Sequence, residues 1–239
     1  MPKTAHELTR KEMKGPDRFQ VAMSGAAAWL SGRQKALTLA VGAAVAIAVV
    51  AVGVSRYLEG KRAAAGADLY QAIEAASGEI SDTPLPRGER PTYKTAEEKH
   101  RAVLEAAQGV RSRYAGSRAA VTAALLEGDA LLDLAEWDKA IPAYRSYLSS
   151  VPADDPLRFA ALFGVARAQE GKGDLEGAAK TYQEAAGNEA SRDRATLERA
   201  RVLAKAGKKD EARKALQEIG KGSPLQPEAT ERLARLGAS

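Results

Sequence analysis

Residues 121–154, VTAALLEGDALLDLAEWDKAIPAYRSYLSSVPAD, predict two α-helices joined by a short turn at residues 134–137. The second helix has one apolar face, because its apolar residues recur at helical spacing. These residues are Ala140, Tyr144, Tyr147, Leu148 and Val151. Small residues are needed where the two helices of a hairpin touch, and an aromatic side chain fills the gap beside them. The stretch therefore predicts a helical hairpin.

The turn and the start of the second helix recur twice further along the chain. The tripeptide DKA at residues 138–140 aligns with EGA at 176–178 and DEA at 210–212. Their alanines are 38 and then 34 residues apart, and the four extra residues correspond to an insertion, DDPL, at residues 154–157. Self-similarity at a period of this size indicates a repeat architecture.

In this alignment the chain resembles the tetratricopeptide repeat family. The small, aromatic and proline positions of the family are matched in residues 121–154 by Gly128, Ala140, Tyr144 and Pro152. In residues 159–192 they are matched by Ala166, Gly173, Ala178 and Tyr182, and in residues 193–226 by Ala200, Gly207, Ala212, Leu216 and Pro224. The chain departs from the family at the early tryptophan, which is absent from all three segments, and at a tyrosine that becomes Leu131, Gln169 and Leu203. The resemblance implies an all-α fold with three repeats over residues 121–226.

The segments on either side complete the predicted helical array. Residues 56–120 resemble a degenerate repeat, with a first helix at 56–76 and an exposed proline-rich loop at 78–94. Its second helix is expected to carry an apolar face made of Ala102, Ala106, Val110 and Tyr114. Residues 227–239 predict a capping helix and tail. The abundance of alanine and the low aromatic content favour this helical interpretation.

Residues 36–55, ALTLAVGAAVAIAVVAVGVS, carry no charge and predict one transmembrane helix. Twenty helical residues span about 30 Å, which matches the hydrocarbon thickness of a bilayer. Nine Leu, Ile and Val residues contribute roughly −3 to −5 kcal/mol to insertion. A cleaved signal peptide is the alternative, but the preceding segment is long and the apolar run exceeds the roughly 7–15 residues of a signal sequence.

The basic leader at residues 1–35 bears on the orientation in the membrane. It holds seven Lys or Arg against three acidic residues, a net charge of +4, whereas the rest of the chain carries only +1. A basic leader favours a cytoplasmic N-terminus and a periplasmic repeat domain at a bacterial inner membrane. Close to the predicted transmembrane helix, however, basic residues are equally numerous on its two sides. The leader is predicted either to form a short helix with Trp29 at the headgroup level or to be a disordered tail.

The sequence predicts neither a catalytic site nor a cofactor or metal site. The absence of cysteine excludes disulfides and thiolate ligands. His6 and His100 are read as solvated side chains, and the glycines at 171–177 are read as an inter-helix turn because their spacing misses the dinucleotide fingerprint. A near-neutral mixed surface also disfavours nucleic acid as a partner. The chain is therefore predicted not to be an enzyme.

The resemblance implies a groove that binds proteins or peptides. The groove residues carried over from the family are Leu125, Asp129, Leu132, Asp133, Phe163, Arg167, Glu170, Arg194, Leu197, Arg201 and Lys205, with Thr122 and Ala160 beside them. The groove would run from acidic to basic, with Leu125, Phe163 and Leu197 as apolar anchors. A peptide with a basic end, an apolar middle and an acidic or C-terminal carboxylate end would fit it. The alternative is that these charges only solvate an exposed face.

The layout of leader, single crossing and helical repeats is similar to that of the bacterial ancillary subunit of the Sec translocon. That resemblance implies a non-enzymatic adaptor, with translocon subunits and periplasmic chaperones as partners, that helps hand over emerging chains. The alternative is a structural scaffold for an envelope or cell-division complex.

Overall fold

The computed structural model describes residues 18–82 and 90–238. The first 17 residues of the predicted leader, including His6, and residues 83–89 of the predicted loop lie outside the described residues. The elements are α1 (Arg18–Gly32), α2 (Gln34–Ser77), β1 (Glu79–Ile80), β2 (Thr92–Tyr93), α3 (Ala96–Arg113), α4 (Arg118–Asp133), α5 (Trp137–Ser150), α6 (Arg158–Gly171), α7 (Leu175–Ala185), a 3-10 turn (Glu189–Ser191), α8 (Arg192–Lys205), α9 (Lys209–Glu218) and α10 (Gln226–Ala238). The predicted all-α class is confirmed.

The chain divides into two compact units, Met1–Glu59 and Gly60–Ser239. In the first unit, α1 occupies the part of the leader for which a short helix or a disordered tail was expected. The guanidinium of Arg33 lies 4.7 Å from the centre of the Trp29 ring. The following helix α2 is long and apolar enough to cross a membrane. Its apolar side chains, such as Val41 and Ile47, are exposed, as a lipid-facing helix requires.

In the second unit, the end of α2 packs against α3 and α4. Ala65, Ala72 and Ala75 are buried there, since small side chains permit close helix contact. A polar contact reinforces the packing, because the Tyr114 hydroxyl donates a hydrogen bond of 2.9 Å to Asp68. These helices occupy the place of the predicted degenerate repeat.

The apolar face of α3 differs by one residue from the predicted face. The buried side chains are Val103, Ala107 and Val110, whereas Ala102 and Ala106 are only half-buried. Both alternatives satisfy helical spacing in an alanine-rich segment, so periodicity did not separate them. Thr95 sets the start of the helix, because its hydroxyl accepts a hydrogen bond of 3.1 Å from the Glu98 amide.

The ends of the predicted loop at 78–94 are more ordered than expected. Strands β1 and β2 pair in parallel, with Glu79 opposite Thr92 and Ile80 opposite Tyr93. A Cβ atom at Gly78 would lie 2.5 Å from the Tyr93 ring and 2.7 Å from the Pro91 carbonyl oxygen. At these ends Gly78 is buried and Tyr93 is half-buried against Ala75 and Val103, whereas Glu79 and Ile80 are exposed.

Helices α4 to α9 form three successive hairpins, α4–α5, α6–α7 and α8–α9. Along the second helix of each hairpin, buried side chains recur at the same spacing of four and then three residues, and in the third hairpin the last of them directly follows α9. The three sets are Ala140, Tyr144 and Tyr147; Ala178, Tyr182 and Ala185; and Ala212, Leu216 and Ile219. The turns also repeat, since Ala135, Gly173 and Gly207 all adopt a positive φ of 58°, 83° and 78°. The predicted 34-residue periodicity thus has a backbone counterpart.

Helix α10 covers the end of this array. Ala229 is buried against α8 and α9, with Leu233 and Leu236 packed beside it. The Arg232 guanidinium donates a hydrogen bond of 3.2 Å to the Leu197 carbonyl on α8. The array therefore ends on a helix that shields the apolar surface of the last hairpin.

Candidate functional site

A cavity of about 760 Å³ opens between the first helices of the three hairpins, α4, α6 and α8. We call it the central groove. Helix α6 forms its middle, α4 and α5 contribute Asp129, Leu132, Trp137 and Tyr144, and α7 contributes Tyr182. The first helices bring these side chains together because each hairpin packs on the next, so equivalent positions fall on one side.

Most of the predicted groove residues line this cavity. They are Asp129, Leu132, Phe163, Arg167, Glu170, Arg194, Arg201 and Lys205, together with Ala160. The cavity is also lined by side chains that the sequence did not single out, among them Trp137, Tyr144, Phe159 and Glu198. Phe159 was missed although it lies four residues before Phe163 and eight before Arg167, a spacing that places all three on one helical face.

Two of the three predicted apolar anchors lie elsewhere. Leu197 is fully buried among Ala200, Leu216 and Ala229, because α10 packs over the end of the array. Leu125 is buried in the cluster around Tyr144. Asp133 does not line the cavity either, and its carboxylate lies 3.5 Å from His100.

Tyr144 forms the floor of the central groove between two hairpins. The side chain is fully buried, and its hydroxyl donates a hydrogen bond of 2.6 Å to Asp129. A Cβ atom at Gly128 would lie 2.7 Å from the ring, and one at Gly164 on the next hairpin would lie 2.5 Å from ring atoms. Glycine is required at both positions because the ring occupies the space of a side chain.

The same contact perturbs both polar groups. Desolvation raises the pKa of the Tyr144 hydroxyl, and the neighbouring Asp129 carboxylate raises it further. Desolvation also raises the pKa of Asp129, although the hydrogen bond from Tyr144 opposes that rise. The Tyr144 hydroxyl is therefore a neutral hydrogen-bond donor, and the Asp129 carboxylate that accepts its hydrogen bond is partly desolvated.

The basic end of the predicted gradient is largely paired within the chain. Arg201 donates to both oxygens of Glu170, at 2.8 and 2.6 Å, and its Nε donates to Glu198 at 2.7 Å. Lys205 adds a contact of 3.3 Å to Glu170. The hydrogen bonds from Arg201 lower the pKa of Glu170 from 4.5 to about 2. The free positive charge at this end is therefore smaller than the sequence alone suggests.

An aromatic wall stands beside these charges. Phe159 and Phe163 meet edge to face with ring centres 6.3 Å apart, and Phe163 meets Tyr182 in the same way at 5.2 Å. Phe159 remains 39% exposed. The central groove therefore offers apolar surface next to fixed charges. This combination suits a ligand that carries an apolar side chain, alone or next to a charged group.

Family models described as tetratricopeptide repeat match residues 125–195 and 194–224. The two matches fall within the predicted repeat region and cover the helices that line the central groove. None of the curated proteins matches the chain. Tetratricopeptide repeats are thus detected here; such repeats generally bind protein partners and are typically non-enzymatic.

Proposed function

We propose that this chain is a membrane-anchored, non-enzymatic adaptor that binds segments of partner proteins in the central groove. The observation that carries the proposal is the groove itself, a cavity of about 760 Å³ built by three tetratricopeptide-like hairpins. Its size is that of a ligand site, and its mixture of aromatic and charged side chains is typical of one. The apolar part of α2 supports attachment to a membrane.

Site-specific photo-crosslinking tests this role. A photoreactive phenylalanine analogue in place of Ala160 would lie in the groove, whereas one in place of the exposed Arg145 would lie outside it. We expect protein adducts from position 160 that are lost when Phe163→Ala removes part of the aromatic wall. Equal adducts from both positions, or adducts that Phe163→Ala leaves unchanged, would count against the groove.

We also propose a setting for the adaptor, namely Sec-dependent export or chaperone hand-over at a bacterial inner membrane. In this proposal residues 1–35 lie in the cytoplasm and the repeats lie in the periplasm. Support comes from the layout of one apolar helix before the repeats and from the basic residues ahead of it. The alternative setting is a structural scaffold for an envelope or cell-division complex.

Two measurements separate these settings. A topology reporter fused after Ser239 should report a periplasmic C-terminus, and a cytoplasmic result would remove the export proposal. Purification in mild detergent should recover Sec subunits or periplasmic chaperones. Septal or polar clustering without those partners would instead favour the scaffold.

A further inference from the structure

We propose that α1 lies along the membrane surface where α2 enters it, with one apolar face among the lipid acyl chains and its basic residues at anionic phospholipid headgroups. The inference rests on the membrane attachment in the proposed function and adds a lipid-binding surface to it. This surface lies wholly within the first compact unit of the chain and is separate from the central groove.

Three large apolar side chains of α1 are exposed on one face of the helix. Phe19, Met23 and Leu30 follow one another at intervals of four and seven residues. At about 100° per residue, this spacing places all three within about 40° of one another around the helix axis. Each of the three residues is more than half exposed. Exposed apolar patches mark sites of contact with another protein or with a membrane.

A neighbouring face of α1 carries small polar side chains. Ser24 and Ser31 lie about 110° around the axis from the apolar face. Each hydroxyl donates a hydrogen bond of 3.0 Å within the helix, from Ser24 to the Val21 carbonyl and from Ser31 to the Ala28 carbonyl. A helix with one apolar and one polar face lies in the plane of the membrane interface, whereas a helix that crosses the membrane is apolar all round.

The junction between the two helices holds this apolar face close to the bilayer. Only Arg33 separates α1 from α2. Its amide donates a hydrogen bond of 3.1 Å to the Leu30 carbonyl, and its carbonyl accepts one of 2.9 Å from the Leu37 amide. The uncharged stretch 36–55 begins three residues after it. Because α1 has 15 residues and is therefore about 22 Å long, lipid is the apolar surface within reach of the whole helix.

The charges along this segment favour anionic lipid. Residues 18–58 contain four Lys or Arg and no Asp or Glu, so no acidic residue of that stretch would repel phosphate groups. Trp29 and Arg33 lie at the start of α2, with the guanidinium 4.7 Å from the centre of the ring. Tryptophan is enriched at the headgroup level of membranes. Basic residues beside an apolar face are typical of helices that bind anionic membrane surfaces.

Site-directed spin labelling of the full chain tests this placement, since the chain contains no cysteine. Met23→Cys and Ser24→Cys are labelled separately and reconstituted into bilayers of phosphatidylcholine mixed equally with phosphatidylglycerol. Oxygen partitions into lipid and a nickel chelate stays in water, so their collision rates with the label report its depth. We expect the label at position 23 to collide mainly with oxygen and the label at position 24 mainly with the nickel chelate.

Two other results would overturn the inference. Equal access of both reagents at positions 23 and 24 would show that α1 projects into water. Poor access of both reagents at position 23 would show that a protein or a second copy of this chain covers the apolar face.

Two glutamate substitutions assign the docking to the apolar face. Phe19→Glu should make the label of Met23→Cys accessible to the nickel chelate, because a charge would then face the acyl chains. Ser24→Glu is the matched control, since it introduces the same charge on the neighbouring polar face, and it should leave the label in lipid. An equal response to both substitutions would contradict a role for the apolar face.

The lipid preference is tested at the first residue of α1, Arg18. Only docking of α1 brings this residue to the headgroups, whereas Arg33 lies beside the membrane in either case. In the mixed bilayer, Arg18→Gln should lower the ratio of docked to undocked α1 about fivefold, the effect of one basic residue at an anionic surface. It should have no effect in pure phosphatidylcholine, and Arg33→Gln is the control. An equal loss in both bilayers would overturn the assignment to anionic lipid.

A label at Ile47→Cys separates failure of this inference from failure of membrane attachment. Ile47 lies in the part of α2 that is apolar enough to cross a membrane, so its label should collide with oxygen alone. If it does so while the labels at positions 23 and 24 are equally accessible, α1 is not docked and membrane attachment stands. If the nickel chelate also reaches position 47, membrane attachment is wrong and this inference is wrong with it.

Discussion

Gly164→Ala should destabilise the repeat array, although it replaces glycine by the best helix-forming residue. Alanine in a helix interior is worth about 1 kcal/mol more than glycine. Against this, the new Cβ would lie 2.5 Å from Cε1 and Cε2 of Tyr144, and the ring is held on its other side by Gly128. Overpacking of a filled site costs about 1–3 kcal/mol. We expect the overpacking cost to lie near the top of that range, because the fully buried ring cannot move aside. The net loss in the free energy of unfolding should then be about 2 kcal/mol.

Urea unfolding of the detergent-solubilised chain, followed by the fluorescence of Trp137, measures this change. Trp29 is replaced by phenylalanine in every sample, so that the signal comes from the ring packed on α6. Gly66→Ala is the control, since nothing lies within 4 Å of its Cβ position, and it should gain up to about 1 kcal/mol. Tyr144→Leu should remove most of the penalty in the double variant. Equal effects of the two alanine substitutions would refute the packing argument.

Three other predictions concern backbone strain, pH and a nearly buried charge. Ala135→Gly should stabilise the chain by about 1 kcal/mol in thermal unfolding, because its φ of 58° suits glycine, and Gly207→Ala should destabilise it. The lowered pKa of Glu170 means that its contribution to stability is present above pH 4.5 and is lost as the pH falls toward about 2. Acid unfolding curves of Glu170→Gln should lack that part of the pH dependence, whereas Glu231→Gln, at an exposed ion pair, should retain it. Glu127→Ala should lower the free energy of unfolding in urea by about 3 kcal/mol, because it removes the nearly buried carboxylate that pairs with Arg111 on α3. The control Glu231→Ala, at an exposed ion pair, should cost under about 1 kcal/mol.

The hairpins and their order were predictable because they depend on local spacing. The alanines at 140, 178 and 212 mark the start of each second helix, and their separation gave the period. The same alignment placed Asp129, Phe163 and Arg167 on one side of the array, where the structure also has them. Periodicity suffices for such features because it is a property of one helix at a time.

Features that depend on contacts between hairpins were not predictable in this way. Leu197 has the spacing of a groove residue, but its burial depends on α10, which lies about one hairpin further along. The pairing of Arg201 with Glu170 depends on how α8 is placed against α6. The β1–β2 pair has only two residues in each strand, too few to show an alternating pattern.

The Glu170–Arg201 pair also affects how the array comes apart. The two residues are 31 positions apart and belong to the first helices of successive hairpins. In repeat proteins, contacts of this kind form the nearest-neighbour coupling that determines whether the array melts in one step or frays from its end. The pair couples the third hairpin to the second. The rates of amide hydrogen exchange in α8 and in α6 should therefore be similar and should slow together. Such cooperativity would keep the two walls of the central groove in place as a unit, and a ligand would not have to order one against the other.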